Sequence, residues 1–374
     1  MKTARLKPKE ERRLLRGHLW AYRNEFERFP DLEDGEPVDV VSGTGRFVGR
    51  GFYQAEGGIA VRILSSHQTD IGEAFFRGRI ATALACRRQA QADQTVYRWL
   101  FGESDGLPGL VADRYGAFVS VQSACRFYEA HADLLVRLFC EHDGIEGVRL
   151  SLCGKVYSCG MPSDGLECEV DGVRMRVDVE GGQKTGLFLD QRENARRVRP
   201  YASGARVLDG HCYEGLWSCH AALASARHVL GVDTSEAAIE RARANAQRNG
   251  VESRCTFECA DVADVLGRSE PYDLVILDPP AYAKARSHVT KASARYQALN
   301  RAAMEIVTPG GLLVTSSCSH FVDTATFLEI LKRAATAARR QAMVLGVFGA
   351  PADHPVLMAM PETAYLKCVF LRLP

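Results

Sequence analysis

The chain has 374 residues, of which 46% are hydrophobic and 25% are charged, and this excludes a wholly disordered, collagen-like or coiled-coil protein. Lys and Arg number 47 and Asp and Glu number 46, which excludes a globally basic nucleic-acid binder but not a local basic surface. The length predicts two or three domains. No apolar stretch approaches the about 18 residues of a membrane-spanning helix, and the N-terminal segment lacks the apolar core of a secretory signal, so we expect a cytoplasmic protein.

The cysteine pattern disfavours metal and disulfide chemistry. None of the 12 cysteines forms a CxxC pair, and the closest two, Cys255 and Cys259, are four positions apart. This spacing does not fit a zinc site, so no metal is expected. A disulfide framework is not expected in a chain of this size without a secretion signal. Most of the thiols are predicted to be small buried apolar groups, with Cys318 as an exception.

The N-terminal segment is basic and leads into a β-rich module. Seven of the first 16 residues are basic and two are acidic. A solvated charged terminus would explain this pattern, and so would contact with nucleic-acid phosphates through Arg12, Arg13 and Arg16. Short alternating strands over residues 37–64 predict a small β-rich domain at residues 1–68.

Residues 69–178 predict an α+β domain. An apolar stripe with helical spacing runs through residues 70–92, and a turn-rich loop follows at 102–109. Four strands are predicted, at residues 110–113, 117–122, 148–152 and 173–179. One further helix is predicted at residues 129–140.

From residue 201 onwards, strands alternate with helices, which is typical of an α/β fold with a parallel sheet covered on both faces. The strands are predicted at residues 205–209, 228–233, 255–258, 273–277 and 311–315. Ligands in such sheets bind beyond the carboxyl ends of the strands. The candidate site residues are therefore those at the strand ends: Asp209, Asp233, Asp261, Asp278 and Cys318.

The first two strand ends predict a nucleoside-containing cofactor. Asp233 ends the second strand, where a carboxylate can accept hydrogen bonds from both hydroxyls of a ribose. The turn after the first strand contains Gly215 but is not GxGxxG, and its bulky residues disfavour close approach of a pyrophosphate. S-adenosylmethionine, which has no phosphate, fits better, with Asp209 and Gly215 beside it and Asp261 facing its adenine amino group. An ordinary Rossmann-like domain with an Asp at a helix cap is the alternative.

Asp278-Pro279-Pro280-Ala281-Tyr282 is the strongest single motif. The two prolines stiffen the chain and hold Asp278 out of helical geometry. Such a loop presents a carboxylate, backbone carbonyls and an aromatic ring, which predicts that Asp278, Pro279, Pro280 and Tyr282 bind and stack on a planar base. The alternative is a rigid loop with Tyr282 in the core.

Five stretches together resemble the RlmI-type class I ribosomal RNA cytosine-C5 methyltransferases. They match in order and spacing along nearly the whole chain, at residues 182–194 (GQKTGLFLDQREN), 102–109, 278–282, 317–319 and 352–356. The resemblance implies an N-terminal PUA domain (1–68) and a central EEHEE-like α+β domain (69–178). It also implies a C-terminal Rossmann-like class I methyltransferase domain (179–374) with a seven-stranded, mostly parallel sheet. S-adenosylmethionine as cofactor, 23S ribosomal RNA as substrate and a homodimer are implied as well.

The same resemblance implies roles for individual residues. Cys318 matches the nucleophile, Asp278 the carboxylate that faces the base, and Asp233 the ribose acid. The segment that lines the cofactor pocket is matched by Phe188, Gln191 and Arg192.

The implied reaction needs a reactive thiolate. Carbon 5 of cytosine is a poor nucleophile until a thiolate adds to carbon 6. We expect Cys318 to have a lowered pKa at its strand end, helped by the amides of the helix predicted to start near Asp323. The base that removes the carbon-5 proton is not identified, and Asp353 and His354 are candidates by resemblance alone.

Three alternative functions stay open. One is amino-group methylation of adenine or guanine, and another is methylation of a small molecule. The third is RNA binding without catalysis, which is supported only by Leu216 in place of the second glycine usual in the family.

Overall fold

The structure is a computed structural model, and it describes residues 1–90, 94–162, 165–179, 185–268, 270–283 and 285–374. The chain divides into two compact units. The first unit comprises Met1–Cys168, Val177–Leu189 and Ala352–Thr363, and the second comprises Glu169–Arg176, Asp190–Pro351 and Ala364–Pro374. The division into three domains at residues 68/69 and 178/179 stays a prediction.

The first unit begins with a sheet that contains six strands within the described residues. Its elements are β1 (Lys2–Leu6), α1 (Glu11–Leu15), β2 (Trp20–Tyr22), β3 (Phe26–Arg28), β4 (Pro37–Val41), β5 (Phe47–Tyr53) and β6 (Ile59–Ser65). The strand order is β2-β6-β5-β4-β1-β3, and β1 pairs with β4 in parallel. The predicted strands over 37–64 are confirmed. β1 to β3 were not predicted because all three are short and because β1 and β3 carry charged residues, although Ala4 and Leu6 are fully buried.

A second sheet follows in the same unit, with five strands among the residues that the structure describes. The elements are α2 (Glu73–Ala90), β7 (Val96–Phe101), β8 (Leu110–Tyr115), β9 (Phe118–Ser123), α3 (Ala132–Cys140), β10 (Gly147–Leu152) and β11 (Lys155–Cys159). The strand order is β11-β10-β9-β8-β7. The predicted helices are confirmed with shorter bounds. In α3 the difference arises because a 3-10 turn at Arg126–His131 precedes the helix. Residues 91 and 92 of the first predicted helix lie outside the described residues. β12 (Leu166–Val170) and β13 (Val173–Val177) form a small separate sheet.

The second unit is an α/β structure with seven strands in its described part. Its elements are α4 (Arg192–Arg196), α5 (Arg199–Ala202), β14 (Arg206–Gly210), α6 (Leu216–Leu223), β15 (His228–Asp233), α7 (Glu236–Arg248), β16 (Cys255–Cys259), α8 (Val262–Arg268), β17 (Tyr272–Leu277), α9 (Val289–Ile306), β18 (Val307–Ser317), α10 (Thr324–Ala337), β19 (Met343–Phe348) and β20 (Lys367–Leu373). The strand order is β16-β15-β14-β17-β18-β20-β19, and the first five strands are parallel. β20 runs antiparallel to both of its neighbours. The predicted seven-stranded, mostly parallel sheet is confirmed.

Alternate residues of the central strands face two separate cores. In β17, Leu274 and Ile276 pack with side chains of α4 to α7, and Val275 and Leu277 pack with side chains of α8, α9 and α10. All four side chains are fully buried. Each contributes about 1.5–3 kcal/mol through removal of its apolar surface from water. The sheet is therefore covered on both faces, as the apolar strands predict.

The helix after β15 is capped at both ends. Ser235 caps α7, with its Oγ accepting a hydrogen bond from the N–H of Ala238 (3.3 Å). Gly250 follows the helix with a φ of 64°, in the left-handed region that glycine adopts easily. This cap fixes the direction in which the chain leaves the end of β15.

Candidate active site

The strand-end side chains predicted from the sequence lie at one edge of the second unit's sheet. β14 to β18 are parallel, so their carboxyl ends meet at the same edge. Asp209 is the penultimate residue of β14, Asp233 ends β15 and Asp261 lies two residues after β16. Asp278 and Cys318 directly follow β17 and β18. The fold thus brings the expected cofactor acids and the expected nucleophile to a common edge.

Asp233 is half-buried and joins β15 to two loops. Its Oδ2 accepts a hydrogen bond from the N–H of Tyr213 (3.0 Å), and its Oδ1 accepts one from the N–H of Ser235 (2.9 Å). Each oxygen of a carboxylate can accept a further hydrogen bond. The group is oriented by the backbone and keeps acceptor capacity for the two hydroxyls of a ribose.

The turn after β14 forms without paired glycines. His211 and Tyr213 take φ values of 63° and 48°, and Gly215 caps α6 with a φ of 81°. A left-handed conformation costs a non-glycine residue of the order of 1 kcal/mol. The hydrogen bond from Tyr213 to β15 offsets part of that cost, as does one from the N–H of Cys212 to the carbonyl oxygen of Val232 (3.0 Å). β15 therefore holds the shape of this turn.

Asp209 is fully buried beneath α6. Its Oδ2 accepts a hydrogen bond from the hydroxyl of Ser218 (2.6 Å), whereas its Oδ1 has no hydrogen-bond partner among the described residues. Burial raises the pKa of Asp209 to about 7, and the nearby carboxylates of Asp278 and Asp233 act in the same direction. The side chain thus holds α6 to the sheet, and its predicted contact with the cofactor stays a prediction.

Asp278 is held by two side-chain donors. The Nε2 of Gln191 donates to its Oδ1 (2.8 Å), and the Nε1 of Trp217 donates to its Oδ2 at 3.4 Å. The Oε1 of Gln191 in turn accepts a hydrogen bond from the Nδ2 of Asn194 (2.8 Å), which orients the Gln191 amide. The segment containing Gln191 and the Pro-Pro motif therefore meet at the sheet edge. Trp217 and Asn194 were not predicted, and no sequence pattern singles them out.

Cys318 lies beside the Pro-Pro motif. Its Sγ is 3.9 Å from the carbonyl oxygen of Pro279, and the side chain is half-buried. Pro279 is buried and Pro280 is exposed. The helix α10 begins at Thr324, close to the predicted start, and stabilisation of a thiolate by its N-terminus stays a prediction. Its first turn is capped by Asp323, which accepts a hydrogen bond from the N–H of Thr326 (2.7 Å).

Tyr282 packs against α9. Its ring centroid is 4.6 Å from that of Tyr296, and the guanidinium carbon of Arg295 lies 4.1 Å from the centroid of the Tyr282 ring. Burial raises the pKa of Tyr282 to about 12. The contacts favour the alternative of a structural tyrosine, and stacking of Tyr282 on a base stays a prediction.

Arg192 is an internal ion-pair residue. Its Nη1 is 3.0 Å from the Oδ1 of Asp171, and its side chain is 2% exposed. Phe188 is half-buried and directly precedes a 3-10 turn at Leu189–Gln191. Contact of Phe188 and Arg192 with the cofactor stays a prediction. Residues 182–184 of the family-like segment lie outside the described residues.

The three arginines of the N-terminal segment differ in their surroundings. Arg12 and Arg16 are exposed. The Nη2 of Arg13 forms an ion pair with Glu25 (2.7 Å), and its guanidinium lies 4.7 Å from the centroid of the Tyr22 ring. Arg12 and Arg16 are therefore open to solvent, whereas Arg13 stabilises the first sheet.

Asp353 and His354 are buried inside the first unit. Asp353 accepts hydrogen bonds from the backbone N–H of Arg98 (3.0 Å) and from the Nδ1 of His354 (2.8 Å). The His354 ring packs 5.0 Å from that of Phe101. These contacts indicate a structural role rather than proton abstraction.

Lys367 is a buried residue of the sheet edge that was not predicted. Its Nζ donates to the carbonyl oxygens of Ser319 (2.8 Å) and Tyr365 (2.9 Å). The sequence signal is slight, since Lys367 is one charged residue at the start of the apolar strand β20.

Two features are absent from the described residues. No helix in this part of the chain is both long and apolar enough to cross a membrane. No group of three or more His, Cys, Asp or Glu side chains in it is placed to hold a metal ion.

Comparison with known proteins shows the family. Residues 4–66 match a PUA-like domain, and residues 150–361, more than half of the chain, match an S-adenosylmethionine-dependent methyltransferase. A ribosomal RNA large subunit methyltransferase I from Photobacterium profundum is 34% identical over 96% of each chain. The chain belongs to this methyltransferase family. A second enzyme of that name, from Shewanella denitrificans, is 33% identical to the methyltransferase described here. The match covers 99% of this chain and 98% of the relative's chain.

Solved structures show the same fold. SMU.776, which is assigned as a methyltransferase and was crystallised with SAH, covers 100% of both chains with a TM-score of 0.88 and 21% identity. The methyltransferase described here is an S-adenosylmethionine-dependent enzyme, which removes the alternative of RNA binding without catalysis.

The residues at the sheet edge suit this cofactor. Asp233 offers an oriented carboxylate to a ribose, and bulky residues occupy the turn at 211–215, where a pyrophosphate would need close approach to the backbone. When bound, S-adenosylmethionine supplies a methyl group activated by a sulfonium. Asp233 and the turn residues of the methyltransferase would hold its nucleoside part.

Proposed function

We propose that the enzyme forms 5-methylcytosine in large-subunit ribosomal RNA, with Cys318 as the nucleophile and Asp278 as the carboxylate that binds the base. The names of the relatives support the RNA substrate. The observation that carries the chemistry is the 3.9 Å contact of the Cys318 Sγ with the Pro279 carbonyl, which places a thiol next to Asp278. A homodimer stays a prediction.

Cys318, a base and Asp278 have separate roles in the proposed reaction. The Cys318 thiolate adds to carbon 6 of cytosine, and the Sγ–C6 bond forms as the electron pair of the C5–C6 double bond becomes available at carbon 5. That pair would form the new bond from carbon 5 to the methyl group that the cofactor supplies, as the bond between this methyl group and the sulfonium sulfur breaks and its electron pair stays on sulfur. A base then takes the proton from carbon 5, the double bond re-forms, and the Sγ–C6 bond breaks to release the thiolate. Asp278 would accept a hydrogen bond from the ring nitrogen of the adduct when that nitrogen is protonated, and this would stabilise the adduct.

The surroundings of Asp278 suit such a role. Gln191 and Trp217 each donate to one of its oxygens, so the carboxylate is held in a fixed direction before substrate binds. Methylation of an exocyclic amino group needs no thiol, so the position of Cys318 has no use in that reaction. The thiol beside the motif therefore favours carbon-5 methylation over amino-group methylation.

Covalent trapping tests the proposal. RNA that carries 5-fluorocytosine at the target should form a complex with the enzyme and S-adenosylmethionine that survives denaturing electrophoresis, because fluorine cannot leave as a proton does. Cys318→Ala should abolish both the complex and methylation. Asp278→Asn should slow methylation about tenfold to a hundredfold through loss of a charged hydrogen bond, while cofactor binding is spared.

Cys259→Ala is the matched control. Cys259 is an exposed thiol that ends the strand β16 at the same sheet edge, and its replacement should leave trapping intact. A Cys318→Ala enzyme with near-wild-type methylation and no trapped complex would point to amino-group methylation. Methyl transfer to small molecules but not to RNA would contradict the proposed substrate.

A further inference from the structure

Lys367 is a buried cation next to the residues around Cys318. It begins β20, opposite Ser317 of β18, and is 3% exposed. Its two hydrogen bonds go to carbonyl oxygens, one of them that of Ser319, which directly follows Cys318. Within the part of the chain that the structure describes, Lys367 forms no ion pair with a carboxylate.

An ammonium ion in this position needs an anion nearby. Burial without a paired negative charge disfavours the charged form, and it lowers the pKa of Lys367 to about 8. Two groups act against that effect, the thiol of Cys318 and the carboxylate of Asp323. Asp323 is exposed and caps α10. The half-buried thiol is therefore the anion source best placed to match the buried charge.

We propose that Lys367 is a positioning residue for Cys318, whose ammonium ion, fixed by the carbonyl oxygens of Ser319 and Tyr365, stabilises the Cys318 thiolate. The inference rests on the proposed function, because only a nucleophilic Cys318 needs this charge. A cation beside a cysteine favours the thiolate over the thiol.

Three further groups beside Cys318 and its neighbours are neutral or negative. The hydroxyl of Tyr296, from α9, lies 3.1 Å from the Oγ of Ser317 and 3.0 Å from that of Ser319, the two neighbours of Cys318. Burial raises the pKa of Tyr296, so this phenol stays neutral. Asp323 carries a negative charge, and the Pro279 carbonyl is an acceptor. Both disfavour a thiolate, and the ammonium ion of Lys367 opposes them.

The pH profile of thiol alkylation tests the proposal. The rate at which iodoacetamide modifies Cys318 in the full-length enzyme is measured from pH 5 to pH 10 by mass spectrometry of the Cys318 peptide. Lys367→Met should raise the midpoint of this profile by about one pH unit or more, which slows alkylation about tenfold at pH 7. Lys367→Arg should keep a midpoint close to that of the wild type. Lys367→Gln keeps a donor for the carbonyl oxygens without the charge, and it should behave as Lys367→Met does.

The controls separate charge from structure. Cys259 reports general reactivity in the same digest, and Lys332→Met removes an exposed lysine from α10 of the same unit. A midpoint that is unchanged in a folded Lys367→Met or Lys367→Gln protein would overturn the proposal, even if methylation were lost. Alkylation requires neither RNA nor methyl transfer. An active Cys318→Ala enzyme would therefore refute the proposed function, and an unchanged midpoint would refute the role of Lys367 alone.

Discussion

Replacement of Asp209 by Asn should change how the stability of the enzyme depends on pH. Asp209 is fully buried, and the hydrogen bond from Ser218 satisfies one of its oxygens. Its pKa is about 7 in the folded protein, against 3.8 for an ordinary Asp side chain. Because the folded state binds the proton more tightly than the unfolded state does, this group favours folding at low pH. Stability is lost as the pH rises from about 4 to about 7.

The size of the effect follows from the two pKa values. A difference of about three units, at about 1.4 kcal/mol each, is worth about 4 kcal/mol across the whole range. About 2–3 kcal/mol of this falls between pH 5 and pH 8. The Asn side chain of Asp209→Asn does not titrate in this range. From pH 5 to pH 8, the free energy of unfolding of the variant should therefore rise by that amount relative to that of the wild type.

Urea unfolding at pH 5 and pH 8 measures this shift. The free energies of unfolding of wild type and Asp209→Asn are compared at each pH by linear extrapolation. Asp264→Asn, at an exposed position of α8, is the control and should follow the wild type at both values. The reasoning would be refuted if Asp209→Asn and wild type changed in parallel between pH 5 and pH 8.

Two further predictions concern ligands. Asp233→Ala should weaken binding of S-adenosylmethionine about tenfold to a hundredfold, because it removes a charged acceptor worth about 1.5–3 kcal/mol. Calorimetry measures the affinity, and an unchanged value would make Asp233 purely structural. The double variant Arg12→Ala, Arg16→Ala should make the slope of log affinity for RNA against log salt shallower by about 1.4–1.8, because two exposed cations no longer release phosphate counterions. Arg13→Ala should leave that slope almost unchanged, because Arg13 is paired with Glu25. An equal loss of slope in Arg13→Ala would contradict this division.

The grouping of the strand-end residues could be predicted because one strong pattern, parallel apolar strands, decides it. Asp233, Asp278 and Cys318 follow apolar strands, and the carboxyl ends of parallel strands must meet at one edge, so their grouping could be predicted. The same reasoning placed Asp209 at the edge but not under α6, because its burial depends on Ser218 and on how closely the helix packs.

Contacts between distant residues could not be predicted from local patterns. Gln191 is 87 positions from Asp278, and the hydrogen bond between them depends on how α4 packs. Tyr282 was expected to be available to a base, but Tyr296 of α9, 14 positions further along the chain, packs against it. Lys367 reaches Ser319 only because β20 runs antiparallel to β18.

Residues of β17 alternate between two cores, and this constrains the length of the strand in evolution. Inserting or deleting one residue within β17 would exchange the residues facing the two helix layers and would turn Asp278 towards the opposite face. Both faces are apolar but differ in shape, so a shifted strand would fail through mismatched shapes and through the displacement of Asp273 within the strand. Homologous chains should therefore vary in length in their loops and keep the residue count from Tyr272 to Asp278 constant.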